Sequence, residues 1–262
     1  MMGVAMMDQP FASALADMSA ALKGPRGQTA FFANAATLNL ASTDPDYWRA
    51  LNTASFMYGD GTGVRWAARA RGTRLQANLN GTDLIPELIH MNPGVRVYLI
   101  GGDQDLVVEA ARRFSILFPQ AVLVGWRNGY FDKESCGAVL AEINVAKPDL
   151  LLVGFGNPLQ EKWVYSNSRN LDVPLTAAVG GLFAYWAGTL QRAPALYRRA
   201  GFEWLHIMLM QPRKLRRYLL GNPVFLFRMI RWLRADRLAD AARNMAERVH
   251  TLMTTFGVFA FV

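Results

Sequence analysis

Three short constellations in this chain carry residue types capable of chemistry, and each comes at or shortly after the end of an apolar run. The first is Thr37-Leu38-Asn39. A hydroxyl and an amide so placed can hydrogen-bond a nucleotide or a sugar, although Thr and Asn are equally the ordinary residues of turns. The second is Tyr58-Gly59-Asp60-Gly61-Thr62-Gly63. Its glycines permit close backbone approach to a ligand, and the helix expected after them would present an anion-favouring N-terminus. Asp60 is a lone carboxylate that can act as a general base toward an attacking hydroxyl. A plain turn or N-cap aspartate is the commoner role for such a residue. The third runs from Val153 to Lys162 and contains Gly154-Phe155-Gly156-Asn157-Pro158-Leu159-Gln160-Glu161. Glu161 there can simply complement a helix dipole, whereas the amide of Gln160 is suited to reading a sugar or a base.

Two further groups have weaker claims. The pairs Asp44/Asp46 and Asp103/Asp105 have a spacing used by metal ligands, but both stand where helices should start, and capping explains them. No metal site is therefore expected. Arg213, Arg216 and Arg217 form one basic turn whose guanidinium forks match phosphate oxygens in two-point fashion. A solvated or lipid-facing basic surface accounts for them equally well.

The elements that must position these residues alternate along the chain. Apolar runs at 29–33, 54–58, 95–100, 121–124, 150–153 and 175–179 are mostly continuous, as in strands buried on both faces of a parallel sheet. Helical patterns lie between them at 45–51, 63–70, 83–90, 103–118, 135–145 and 158–170, with Asp103 and Asn157-Pro158 as start signals. Strand, Gly turn, helix, strand predicts an α/β fold: a Rossmann-like, doubly wound, mostly parallel sheet. From about Gly188 the pattern changes to helical stretches at 196–220 and 223–251, separated by Gly221-Asn222-Pro223.

Charge divides the chain in the same place. Residues 191–250 hold 13 of the 28 Lys and Arg but only 4 of the 20 Asp and Glu, a net of +9 against −1 for the remainder. We therefore expect a near-neutral core over residues 1–190 and a basic amphipathic appendage over 191–262 that meets a polyanion or an anionic membrane surface. In the appendage Arg228, Arg231 and Arg234 recur every third position beside Phe225, Ile230, Trp232 and Leu233. No apolar run reaches the ~18 residues of a membrane span. The N-terminus does not read as a signal peptide. A single cysteine, Cys136, excludes an internal disulfide.

Taken in order, the motifs resemble the WecG/TagA/CpsF family of bacterial glycosyltransferases. The resemblance rests on Thr37-x-Asn39, Asp60-Gly61-x-Gly63, Gly81-Thr82-Asp83-Leu84, Gly156-x-Pro158-x-Gln160-Glu161 and Val179-Gly180-Gly181-Leu182-Phe183. It continues through Ala187-Gly188-Thr189, Arg192-Ala193-Pro194, Gly201-x-Glu203-Trp204 and Pro212-Arg213-x-Leu215-Arg216-Arg217-Tyr218. It implies inverting, metal-independent, β-linkage-forming transfer of a hexose from a UDP-sugar to a polyprenyl-diphosphate-linked sugar, at the cytoplasmic face of the bacterial inner membrane and with no cofactor. By the same resemblance Asp60 is the general base. Thr37, Asn39, Gly61, Asn78, Gln160, Glu161 and Arg192 belong to the substrate pocket, and Arg213, Arg216 and Arg217 are brought over it to hold a diphosphate.

Three departures bear on the donor. Where the family often has Arg, Asp and Arg, this chain has Asn78, Ala184 and Ile207. Losing two cations and a carboxylate leans the expectation toward glucose and exopolysaccharide assembly, with N-acetylmannosamine or its uronic acid as the alternative donor. A non-enzymatic nucleotide-binding module that tethers a complex to the membrane is a further alternative. A sugar-nucleotide oxidoreductase is disfavoured because no dinucleotide fingerprint appears. Nucleic acid is not expected as a partner, and a homo-oligomer remains open.

Overall fold

The computed structural model describes residues 1–194, Tyr197 and 215–255. Six strands form one sheet in the order β2-β1-β6-β5-β3-β4, and every pairing is parallel. They are β1 (Gln28–Ala33), β2 (Phe56–Gly59), β3 (Arg96–Gly101), β4 (Val122–Arg127), β5 (Leu150–Gly154) and β6 (Leu175–Ala178). β1, β2, β5 and β6 are buried almost throughout, which is why their sequences are continuous apolar runs rather than alternating ones. The edge strand β4 is the exception and leaves Val122 and Trp126 exposed. At the other edge, Met7 bridges to Tyr58 of β2 and partly covers it.

Helices cover both faces. On one side pack α1 (Phe11–Ala21), α5 (Gly81–Met91), α6 (Gln104–Leu117) and α9 (Leu182–Trp186). On the other pack α2 (Ala35–Ala41), α3 (Pro45–Asn52), α4 (Gly61–Ala70), α7 (Gly137–Ala146) and α8 (Leu159–Asn167). This is the doubly wound arrangement expected. The connections leaving the neighbouring strands β1 and β6 run to opposite faces, through α2 and α9 respectively. A crevice at such a switch point, outside the carboxyl ends of the strands, is where open α/β sheets bind ligands.

α10 (Leu215–Thr255) is one continuous helix of 41 residues, and the break expected at Gly221-Asn222-Pro223 does not occur. Tertiary contacts override the local signal. Phe225 and Met229 are buried in the core beneath it, and Asn39 Nδ2 donates to the Gly221 carbonyl at 2.8 Å. Further along, Arg71 Nε pairs with Asp236 at 2.9 Å, and the Arg71 guanidinium lies 5.4 Å from the Trp232 ring. Of the expected helix over 196–220, residues 196 and 198–214 lie outside the described residues. No described helix is long and apolar enough to cross a membrane.

Most of the expected helix starts shift by one or two residues, and two local readings change. Thr37-Leu38-Asn39 is not a turn but the body of α2, because Asn34 and Thr37 form a reciprocal capping box. α8 begins after Pro158 rather than at it, and the Asn157–Pro158 peptide is cis. Helices α1, α2 and α9 have no counterpart in the sequence expectation.

Candidate active site

The carboxyl ends of β2, β1, β6 and β5 lie side by side, and each is followed by one of the singled-out segments. Register brings the first two level: Ala33 pairs with Gly59, and the Asp60 amide donates to the Ala33 carbonyl at 2.7 Å.

Asp60 occupies the N-cap position of α4 in extended geometry, yet its side chain makes no capping hydrogen bond. The turn is held from outside instead. Asn78 Oδ1 accepts from the Gly61 amide at 2.8 Å, and Gly61 has φ +85°, a conformation that costs a residue with a Cβ. Asp60 thus stands at the carboxyl end of β2, in a turn held by Asn78. Asn78, expected as a substrate contact, is seen here holding the Asp60–Gly61 turn. Gly63 serves packing: a Cβ there would stand 3.1 Å from Ala35 Cβ and 3.3 Å from the Phe225 ring. The start of α4 is thus wedged between α2 and α10.

Thr37, Asn157, Gln160 and Glu161 come together on the other side of β1. Thr37 is wholly buried, and its hydroxyl accepts from the Asn34 amide at 3.2 Å and from Asn157 Nδ2 at 2.8 Å. Gln160 Oε1 accepts from the Gly156 and Gly180 amides at 3.1 and 3.0 Å, while its Nε2 donates to Asn157 Oδ1 at 3.3 Å and Glu161 Oε1 at 2.9 Å. Those four bonds fill the capacity of one amide. Gln160, expected as a substrate contact, is seen here clamping the β5–α8 turn to the β6–α9 turn. Glu161 is likewise only 1% exposed, so it does not reach substrate in this arrangement. Burial pushes its carboxyl up to about 7, against the opposing bond from Gln160. Beside it the Tyr47 phenol is raised, first by burial and then by the Glu161 charge. Asn157 and Tyr47 have no role in the sequence expectation. Asn157 carried a signal, read only as a helix start, whereas Tyr47 sits unremarked in an amphipathic helix.

The remaining expected residues lie elsewhere. Asn39 faces α10 rather than the crevice, and its carbonyl accepts from Arg228 at 2.7 Å. Arg192 forms an ion pair with Asp83 in the first turn of α5. Arg213 lies outside the described residues, as do the side chains of Arg216 and Arg217. Asp44 and Asp103 both cap helices, accepting from Tyr47 at 2.9 Å and Leu106 at 2.8 Å, and Asp46 pairs with Arg49. Among the described residues no three His, Cys, Asp or Glu side chains cluster as metal ligands.

A parallel Rossmann-like sheet, a carboxylate presented at its carboxyl edge and Gly turns clamped around a switch-point crevice define an α/β protein built to handle a nucleotide or sugar substrate. Comparison with known proteins narrows this. The family model "Glycosyl transferase WecG/TagA/CpsF family" matches residues 1–239, and the chain belongs to that family. A relative from Staphylococcus aureus (strain MW2) is 30% identical over 200 residues, covering 75% of this chain and 77% of that protein. One from Bacillus subtilis (strain 168) is 28% identical over 181 residues, covering 68% and 70%. Both are named N-acetylglucosaminyldiphosphoundecaprenol N-acetyl-beta-D-mannosaminyltransferase. The protein is a glycosyltransferase. Those names back N-acetylmannosamine, the alternative donor of the sequence reading, better than glucose.

Proposed function

We propose that the protein transfers N-acetylmannosamine, or a close relative of it, from a UDP-sugar to a sugar held on a polyprenyl diphosphate, with inversion. Asp60 takes the proton from the acceptor hydroxyl as that oxygen attacks the anomeric carbon and UDP departs. The observation that carries this reading is the place of Asp60: a carboxylate at the carboxyl end of β2, level with the end of β1, in a turn fixed by Asn78. The N-termini of α4 and α8 open toward the same edge and favour the charge of a departing diphosphate. Arg213, Arg216 and Arg217 are the cations proposed to complete the pocket around it.

Residues 1–190 are proposed as the catalytic core and 191–262 as the membrane-contacting part. The outward face of α10 supports this, since Val224, Leu226, Phe227 and Ile230 stand exposed among exposed Arg231, Arg234 and Arg237. Each basic residue adds about 1 kcal/mol at an anionic leaflet, so a few of them hold the helix on the surface. On this reading the protein works at the cytoplasmic face of the inner membrane, next to its acceptor. A panel of UDP-sugars with a short-chain lipid-diphosphate N-acetylglucosamine tests the donor. Product from UDP-N-acetylmannosamine is expected. Product only from UDP-glucose would restore the glucose assignment, and no product from any donor would favour the tethering module.

A further inference from the structure

Residues 61–82 contain four arginines, Arg65, Arg69, Arg71 and Arg74, and no Asp or Glu. This basic run belongs to α4 and the segment after it, in the core rather than the appendage. Among the described residues only Arg71 of the four has an ion-pair partner, Asp236 on α10 at 2.9 Å. Arg69 and Arg74 are exposed, and between Arg65 and Arg69 the indole of Trp66 is 54% exposed. A ring so placed contributes little to folding, so stability does not account for it. Its surroundings are set by α10. Gly63 lies against Phe225, while Arg71 meets both Trp232 and Asp236, so α4 and α10 run side by side in the same direction. With about 3.6 residues per turn, Val64, Ala67 and Ala68 take the buried side of α4, and Trp66 follows Gly63 on the outer side of the seam. On α10, Phe225 and Met229 face the core and Arg228 marks the flank beside α2. That puts the exposed Leu226 and Ile230 on the other flank, beside α4, with Phe227, Arg231, Arg234 and Arg237 outward of them.

We propose that the exposed side of α4 docks on an anionic lipid leaflet together with α10, Trp66 entering the headgroup layer and Arg69 and Arg74 pairing with lipid phosphates. Resting on the membrane-contacting reading of α10, this extends the docking surface into the catalytic core. Charge complementarity carries it: the arginines of both helices flank one apolar seam and have an anionic leaflet as their natural counterpart. An indole suits the headgroup level, with an apolar body and one N–H to satisfy. A polynucleotide would engage the arginines but leave Leu226, Phe227 and Ile230 in water, whereas a leaflet buries them. A single interfacial helix fixes depth but lets the core roll about its axis; a second line of contact along α4 stops that roll. Asp60 caps the start of α4, six residues before Trp66, roughly 9 Å along the helix axis. Docking through α4 thus holds the proposed base within reach of a diphosphate at headgroup level.

The test uses full-length protein carrying Trp66→Cys or, as a reference on the opposite face of the sheet, Ile116→Cys, each labelled with an environment-sensitive fluorophore. Ile116 is exposed on α6, and the native Cys136 is buried and does not compete for label. Vesicles of phosphatidylglycerol and phosphatidylcholine are compared with phosphatidylcholine alone. The label at position 66 should shift to the blue on the anionic vesicles only, and the label at position 116 should not move. Unlabelled Trp66→Ala should bind anionic vesicles at least about tenfold more weakly than wild type. Arg69→Gln combined with Arg74→Gln should weaken binding about thirtyfold. Trp66→Phe should restore most of the binding, and all the variants should melt with the wild type. A label at position 66 that stays in water while the wild type binds vesicles overturns the role of α4 and leaves α10 as the contact. A blue shift that grows with protein concentration in the absence of lipid overturns it too, assigning the seam to a second copy of this chain. If the wild type binds no anionic vesicles at all, the membrane reading of α10 fails, and the role of α4 with it.

Discussion

Replacing Glu161 by Gln should change how stability depends on pH, and the size of the change follows from its surroundings. The carboxyl is 1% exposed and is raised by burial from 4.5 to about 7. Between those values the unfolded chain ionises at this position while the folded protein keeps its proton. The folded state then binds more protons, so this group's contribution is fully present below pH 4.5 and is lost as pH rises through 7. At about 1.4 kcal/mol for each pH unit, the total loss is about 3 kcal/mol. Gln cannot ionise but keeps an oxygen to accept from Gln160, so Glu161→Gln removes this slope and leaves the remainder of the protein's pH response in place. Urea unfolding of both proteins at pH 5 and pH 8 measures it. The variant should gain about 2–3 kcal/mol on the wild type between the two conditions, equivalent to roughly 5–10 °C in melting temperature for a chain of this size. An identical difference between the two proteins at both pH values would refute the assignment of a buried, neutral carboxyl.

Phe225→Ala should undock α10, since the ring is buried against Gly63 and Ala35; loss of a buried Phe costs about 3–5 kcal/mol. Limited proteolysis should then cut within α10 much sooner while the sheet core melts nearly as before. Asn78→Ala strips the Gly61 amide of its partner at a cost of about 1–3 kcal/mol. Turnover should drop with UDP affinity little changed, measured by steady-state kinetics and calorimetry.

Much of the fold is legible in the sequence because burial on both faces writes itself as uninterrupted apolar runs. All six strands fall within a few residues of where Phe31, Met57, Leu99, Leu123, Leu152 and Ala177 would place them. Helix α2 is not legible, since its start depends on a capping box between Asn34 and Thr37 within a segment that looks like turn chemistry. The Gly221-Asn222-Pro223 signal misleads for the opposite reason. A local breaker is outweighed by Phe225, Met229 and Asn39, whose contacts are far apart in sequence. In the site, Asp60 is readable from its glycines and its place after a strand. The burial of the Gln160 amide and the Glu161 carboxyl is not readable, because burial is a property of the assembled fold.

The central claim is that Asp60 is the general base. Its most direct test is Asp60→Asn, assayed for transfer of N-acetylmannosamine from the UDP-sugar to the lipid-diphosphate acceptor, with UDP affinity measured on the same preparation. Removing a general base should lower kcat by about 10²- to 10⁴-fold while UDP binding stays within a few-fold of wild type. Turnover close to that of the wild type would contradict the assignment.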